Sequence, residues 1–312
     1  MPPLKIVSYN VRYFGHALKG LASTRRPKVG IAKALATLEP QADIICLQEV
    51  EVISLRSRLA DRGRPKTETQ LESFMGHLEQ VFAERKETSP YDAFHFRAHT
   101  YGSPKMPIYT TGLAILIRRD RLTIDRHNQA APAKITHHHV ARFKNGKQTR
   151  ICAHMRLIDR AEAQPFHLFN THLSLPTPFA MRFWTSRLKM GFGQNQIKEA
   201  QSLSRFTHEV AGDDPFVVCG DFNSPPGSPV YQHLTDLGLR GAQESLGLIN
   251  RHAPKDFPTA GLGRLRMHLD HLFASEQIEW LDMAGTQRFG DRSGSFHGLS
   301  DHVPLIATFN LK

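Results

Sequence analysis

Short segments spread along the 312-residue chain carry side chains suited to a metal ion and a phosphate. They are Asn10 in SYNVR, Glu49 in CLQEVE, His172 in NTHL, Asp221 and Asn223 in GDFN, Asp270 in LDHLF, and Asp301 with His302 in SDH. The set holds carboxylates, carboxamides and imidazoles, and no candidate Ser or Cys nucleophile. That combination points to attack of water assisted by a metal. Carboxylate and carboxamide oxygens are hard ligands, so Asn10, Glu49, Asp221 and Asp301 suit Mg²⁺, or Mn²⁺, better than zinc.

Spacing suggests roles. On an extended backbone Asp221 and Asn223 share a face. The carboxylate could then take a proton from a water that the carboxamide orients. By the same alternation Asn170 and His172 share a face, and His172 could donate to a phosphate oxygen as charge builds. His302 needs a partner to set its tautomer and keep it protonated, and Asp270 is the candidate.

The elements that must position these groups follow from hydrophobic periodicity. Leu4 to Val11, Asp43 to Gln48, Tyr91 to Arg97, Gly112 to Arg118, Thr149 to Leu157, Pro165 to Thr171, Pro215 to Gly220, Leu269 to Ala274 and Val303 to Phe309 read as strands. Ile31, Leu35 and Leu38 recur at helical spacing, as do Leu71, Phe74, Met75, Leu78 and Phe82, and again Ile197, Ala200, Leu203, Thr207 and Val210. Ser228 followed by Pro229 reads as a helix start. Most site groups sit at or just beyond an apolar run, where strand ends open onto a shared cleft. Strands outnumber helices and often follow one another directly. An α/β fold with two mixed sheets packed face to face and helices outside is expected. The site groups run from Asn10 to His302, so residues 1–312 are read as a single catalytic domain.

Lys and Arg number 40 against 29 Asp and Glu, a net charge of +11. Because the acids include a proposed metal site, the remaining surface is more basic still. Nucleic acid is the expected partner, and an anionic membrane or phospholipid is the other candidate. Cys46, Cys152 and Cys219 lie in apolar runs, and their odd number without a close pair argues against disulfides or zinc. No signal-type segment and no apolar stretch of membrane-spanning length is present, which makes the cytoplasm the default location.

In the order SYNVR, LQEVE, GLAILIR, NTHL, GDFNSPPGS, LDHLFAS and SDHVPL, the chain resembles the endonuclease/exonuclease/phosphatase superfamily over nearly its whole length. The resemblance implies a four-layer α/β sandwich and Mg²⁺-dependent phosphoester hydrolysis. By match to the motifs, Glu49 corresponds to the principal metal ligand, with Asn10 and Asp301 close to the ion. Asp221 corresponds to the residue activating water and Asn223 to its positioning partner. His172 and His302 correspond to the phosphate-contacting histidines, with Asp270 paired to His302. Some relatives place a phosphate-contacting Tyr where Tyr109 precedes TTGLAIL. NTHL is more like the deadenylase, sphingomyelinase and general phosphodiesterase branches than the abasic-site endonucleases. A nuclease is the leading expectation. The alternatives are a sphingomyelinase, phospholipid or inositol phosphate phosphoesterase, and a non-catalytic phosphoanion-binding module.

The segment 176–194 mixes Phe179, Phe183, Trp184 and Phe192 with Arg182, Arg187 and Lys189 directly after His172. Arg182 and Trp184 are candidate substrate contacts, since basic groups interleaved with aromatics hold phosphates and stack bases. The run His137, His138 and His139 reads as a solvated loop or strand edge, because successive residues on an extended chain cannot all face one ion.

Overall fold

The computed structural model describes residues 2–14, 25–54, 69–103, 106–137, 149–176, 190–250, 257–262 and 265–312. Every residue of β1 (Leu4–Asn10) is buried, as a strand covered on both faces requires. It pairs in parallel with β2 (Ile44–Ser54) and antiparallel with β15 (Leu305–Leu311). β3 (Tyr91–Ser103) and β4 (Met106–Arg118) form a long hairpin, and with β14 (Ile278–Asp282) they complete a six-stranded sheet ordered β14-β15-β1-β2-β4-β3.

The second sheet is ordered β10 (Arg240–Gly241), β13 (Asp270–Ala274), β9 (Phe216–Asp221), β8 (Pro165–His172), β7 (Ile151–Asp159) and β5 (Leu122–His127), with β6 (Ala133–Lys134) beside β7. Here β8 and β9 are the parallel pair. A small hairpin of β11 (Ala260–Leu262) and β12 (Leu265–Met267) stands apart, tied to His302 by a bridge at Ala260.

Three apolar clusters define the layers. Ile6, Cys46, Ile115 and Phe309 of the first sheet meet Leu168, Val217, Cys219 and Leu272 of the second. The other face of the first sheet, with Val7, Tyr9, Ile45 and Leu47, packs under α1 (Arg25–Ala36) and α2 (Gln70–Glu84). The other face of the second, with Phe169, Val218 and Phe273, packs under α3 (Gln194–Ala211) and α4 (Pro229–Asp236). A fifth helix, α5 (Ala242–Ser245), is a single turn. The result is the expected four-layer α/β sandwich.

Local chemistry sets the helix starts. Thr69 and Glu72 close a reciprocal capping box on α2, and the Ser228 hydroxyl accepts from Tyr231 N–H ahead of Pro229 on α4. The structure corrects two boundaries that bear on function. β2 does not stop at Gln48 but continues to Ser54, with its pairing to β4 shifted between Leu47 and Val50. Glu49 sits in that irregularity at φ +56°, a left-handed conformation that a non-glycine residue adopts at a cost of roughly 1 kcal/mol or more. β4 likewise begins at Met106, so Tyr109 lies within a strand.

Candidate active site

The two parallel strand pairs, one per sheet, deliver their C-terminal ends to one place. β1 ends in Asn10, β8 in His172 and β9 in Asp221. His172 and Asp221 are register partners across β8 and β9, and Asp270 is the register partner of Asp221 across β13. Side chains distant in sequence thus converge. Asn10 Nδ2 donates to Asp221 Oδ2 at 2.9 Å and lies 3.4 Å from Glu49 Oε1. His172 Nε2 is 3.5 Å from Asp221 Oδ2 and 3.9 Å from Glu49 Oε1. His302 Nε2 is 3.7 Å from Asp221 Oδ2, while its Nδ1 is 2.9 Å from Asp270 Oδ2.

Asn223 reaches the site by a different route from strand alternation. β9 ends at Asp221, and Asn223 turns at φ +50°. The turn brings its backbone N–H onto Asp221 Oδ1 at 2.9 Å. Its amide nitrogen then faces His172 Nε2 at 3.2 Å and donates to Leu173 O at 2.9 Å. With both amide hydrogens engaged, the Oδ1 atom is left to accept from a water or substrate. Asn is one of the few non-glycine residues that tolerate this conformation.

Asp270 is held in turn. Thr259 Oγ1 donates to Asp270 Oδ2 at 2.6 Å and accepts from the backbone N–H groups of Leu269 and Asp270. Asp301 pairs with Arg12 at 2.5 Å. Arg12 belongs to a turn, Arg12–Phe14, whose three residues all have positive φ. Buried Phe14, stacked on Phe74 with ring centroids 5.1 Å apart, anchors that turn in the helical layer. Ser300 Oγ donates to Asn10 O at 2.8 Å and ties the C-terminal SDH segment to β1.

Burial and charge set the protonation of the cluster. Burial pushes the Glu49 carboxyl up, His302 pulls it back, and Asp301 adds to the rise. Burial also pushes Asp221 up to about 7 against the pull of His302, with Asp270 adding to the rise. Burial opposes charge on His302, yet Asp270 and Asp221 together raise it to about 10. His172 goes the other way: burial, then Arg150 and His302, hold it well below its ordinary value, so its ring is neutral. The Asn223 amide faces Nε2, and in that orientation the ring proton sits on Nδ1.

The donor set fits a hard divalent cation. Glu49 presents a carboxylate that forms no ion pair with Lys or Arg among the described residues, beside the oxygens of Asp221. Asp221, Asp270 and His302 also lie within 4.8 Å of one another. There, however, Asp270 and His302 spend their facing atoms on each other, which leaves the Glu49 side as the better cation position.

Not every expected contact falls in this cluster. Asn170 is fully buried, accepting from Gln48 Nε2 at 2.8 Å and donating to the carbonyls of Leu47 and Ala114 at 3.2 Å each. It ties the sheets together and has no edge left for substrate. The side chain of Tyr109 lies outside the described residues, as do Arg182, Trp184, His138 and His139. His137 does not face a metal; its Nε2 meets Ser202 Oγ at 2.7 Å.

Sequence reasoning missed Arg12, Thr259, Ser300 and Arg150. Arg150 lines a pocket with Glu49, His172, Thr111 and Gly112. A cation opening the apolar run ICAH was the available signal.

The comparisons with known proteins bear on the fold and the family. Nocturnin of Mus musculus is 25% identical over 173 residues, covering 53% of this chain and 38% of that protein. The chain therefore spans well under half the length of this curated relative. The structure of the human Nocturnin catalytic domain with bound sulfate anion superposes with a TM-score of 0.64 at 21% identity, over 100% of this chain and 94% of that one. D. rerio TDP2 complexed with single strand DNA product superposes with a TM-score of 0.60 at 15% identity, over 99% and 100% of the two chains. These superpositions establish a shared fold. The Endonuclease/Exonuclease/phosphatase family, whose members are typically phosphoester hydrolases, matches residues 7–302. The chain belongs to that family.

Proposed function

We propose that this chain is a Mg²⁺-dependent phosphodiesterase whose substrate is nucleic acid. The observation that carries the reading is the convergence of Asn10, Glu49, His172, Asp221, Asn223, Asp270 and His302 from both sheets on one point. Glu49, with Asn10 and Asp301 near it, would hold the ion. When bound, Mg²⁺ supplies positive charge to a phosphate oxygen and to the leaving group.

The protein's own groups do the rest. Asp221, its basicity raised by burial, takes a proton from the attacking water. Asn223, fixed by three hydrogen bonds, offers Oδ1 to orient that water. His302, kept charged by Asp270, gives a charge-assisted hydrogen bond to the phosphate as its negative charge grows. Neutral His172 accepts from the Asn223 amide through Nε2 and so helps hold Asn223 Oδ1 in place.

Basic charge around the strand ends supports a polyanionic substrate. Segment 55–68 follows the strand bearing Glu49 and has five Lys and Arg against two acids. Segment 138–148 precedes β7 and segment 177–189 follows His172; each has three basic residues and no acid. A relative in fold, D. rerio TDP2, carries single strand DNA product in its structure.

The test is hydrolysis of single-stranded DNA, RNA and bis(p-nitrophenyl) phosphate by wild type and Asp221→Asn. Loss of a general base is expected to lower turnover by about 10²–10⁴-fold. Undiminished Mg²⁺-dependent turnover in the variant would remove Asp221 from the reaction.

A further inference from the structure

Asn223 keeps its amide in the cluster only while its backbone stays left-handed at φ +50°. Its N–H and its side chain are held by Asp221, His172 and Leu173, at or just beyond the ends of β8 and β9. Its carbonyl is gripped from elsewhere. It accepts from Gln196 Nε2 at 2.9 Å, and Gln196 is fully buried in the first turn of α3. The next carbonyl, of Ser224, meets His271 Nε2 on β13 at 2.7 Å. Because the peptide unit is planar, the direction of a carbonyl fixes ψ, while the N–H bond to Asp221 restrains φ. The two bonds together define the conformation of Asn223, and with it the direction of Oδ1.

Gln196 is itself locked. Its Oε1 accepts from Gly191 N–H at 3.2 Å and Gly193 N–H at 3.3 Å. That stretch of chain lies against the loop that follows Asn223. Gly191, at φ +81°, has no room for a side chain, since a Cβ there would come within 2.6 Å of Ser224 and Ser228. Gln196 cannot turn from Asn223 without giving up two backbone donors. One turn further along α3, fully buried Glu199 accepts from the N–H and the hydroxyl of Ser174 at 2.8 and 2.7 Å. Ser174 adjoins Leu173, whose carbonyl takes the Asn223 amide. The first turns of α3 therefore brace Asn223 and the chain it leans on.

Resting on the hydrolytic reading above, we infer that Gln196 is a positioning residue for the reaction. By holding the Asn223 carbonyl it keeps Asn223 Oδ1 aimed at the attacking water. Its own amide faces backbone at both ends. Its loss acts on turnover rather than on substrate binding, because the aim of the water is felt in the transition state.

Kinetics on bis(p-nitrophenyl) phosphate in Mg²⁺ test this with Gln196→Met, which keeps the length and loses the donor. The kcat is expected to fall by about tenfold, the rate equivalent of one buried hydrogen bond, with KM within about twofold of wild type. A double-mutant cycle separates aiming from general loosening of the fold. In an Asn223→Ala background, where no amide is left to aim, Gln196→Met should cost less than about twofold. An unchanged kcat in Gln196→Met overturns the inference. So does the same fall in the Asn223→Ala background, which would mark loosening alone.

Hydrogen exchange of the Asn223 side-chain amide, followed by NMR of the metal-free protein, needs no turnover. Exchange should be slow in wild type and about tenfold faster or more in Gln196→Met. Equal protection in the two overturns the inference. Should Gln196→Met fail to fold, Gln196→Glu takes its place at pH 8, since a carboxylate still accepts from Gly191 and Gly193 but has no proton for the Asn223 carbonyl. A wild type that cleaves the diester with a kcat indifferent to the substitution keeps the hydrolase reading and loses the role of Gln196. One that cleaves no diester loses that reading, and the exchange rates still decide whether Gln196 holds Asn223.

Discussion

His302 places one ring between two carboxylates, Asp270 at 2.9 Å and Asp221 at 3.7 Å. Burial alone would strip its proton, and the two charges reverse that outcome. Replacing Asp270 with Asn removes the nearer charge while keeping the shape. The ring, raised to about 10 in the intact protein, should then titrate well below that value, as read by NMR of the metal-free protein. Turnover should fall by about 10–100-fold, the usual cost of losing the partner that orients an active-site histidine. A ring still titrating near its original value would dissociate Asp270 from His302. At this scale the residue types picked out Glu49, Asp221 and His302, which the fold brings together. The sequence was silent on conformation: Asn223 reaches the cluster through a left-handed turn rather than strand alternation, and Glu49 through a break in β2 pairing. Neither is encoded by residue spacing.

Among the elements, the strands β1, β2, β8 and β9 were legible because apolar runs end in polar site residues, while their parallel pairing was not. Their antiparallel neighbours β4, β7, β13 and β15 were read as strands as well, but residue spacing did not fix which of their ends lies at the site. β7 runs against β8, so its N-terminal end lies at the same edge as the C-terminal end of β8. Arg150 enters the site from that beginning, where a rule based on strand C-terminal ends does not look. Edge strands such as β5 and β14 also escaped, since each buries few residues and gives only a weak alternation. Asn170 shows the converse: correctly placed on the face of His172, it is consumed in bonds to Gln48, Leu47 and Ala114. Asn170→Ala leaves those buried groups unpaired, at about 1–3 kcal/mol for each one left unsatisfied. A lower denaturation midpoint in urea with unchanged slope is expected. An unshifted midpoint would mean that water replaces the amide.

For the whole molecule, the four-layer packing buries imidazoles that the proposed reaction does not use. Burial is the main cause that lowers His154 to about 3 and His95 and His271 to about 4, and that holds His268 well below its ordinary value. Their unfolded rings accept a proton near 6.5, whereas the folded rings stay neutral. The unfolded state therefore binds more protons below 6.5, and stability falls as pH drops from about 6.5 toward 4. Each unit of lowering adds about 1.4 kcal/mol per ring. The melting temperature should decline across that window, and a flat or rising profile would contradict the neutral-core assignment.

The most direct measurement at this scale is hydrolysis of a single-stranded oligonucleotide in Mg²⁺ and in EDTA, by wild type and by Glu49→Gln. Cleavage in Mg²⁺ by wild type is expected, with none in EDTA and a loss of about 100-fold or more in the variant, as befits removal of a metal's main charge partner. Cleavage that persists in EDTA, or a fully active Glu49→Gln, would contradict a cation held at the meeting point of the two sheets.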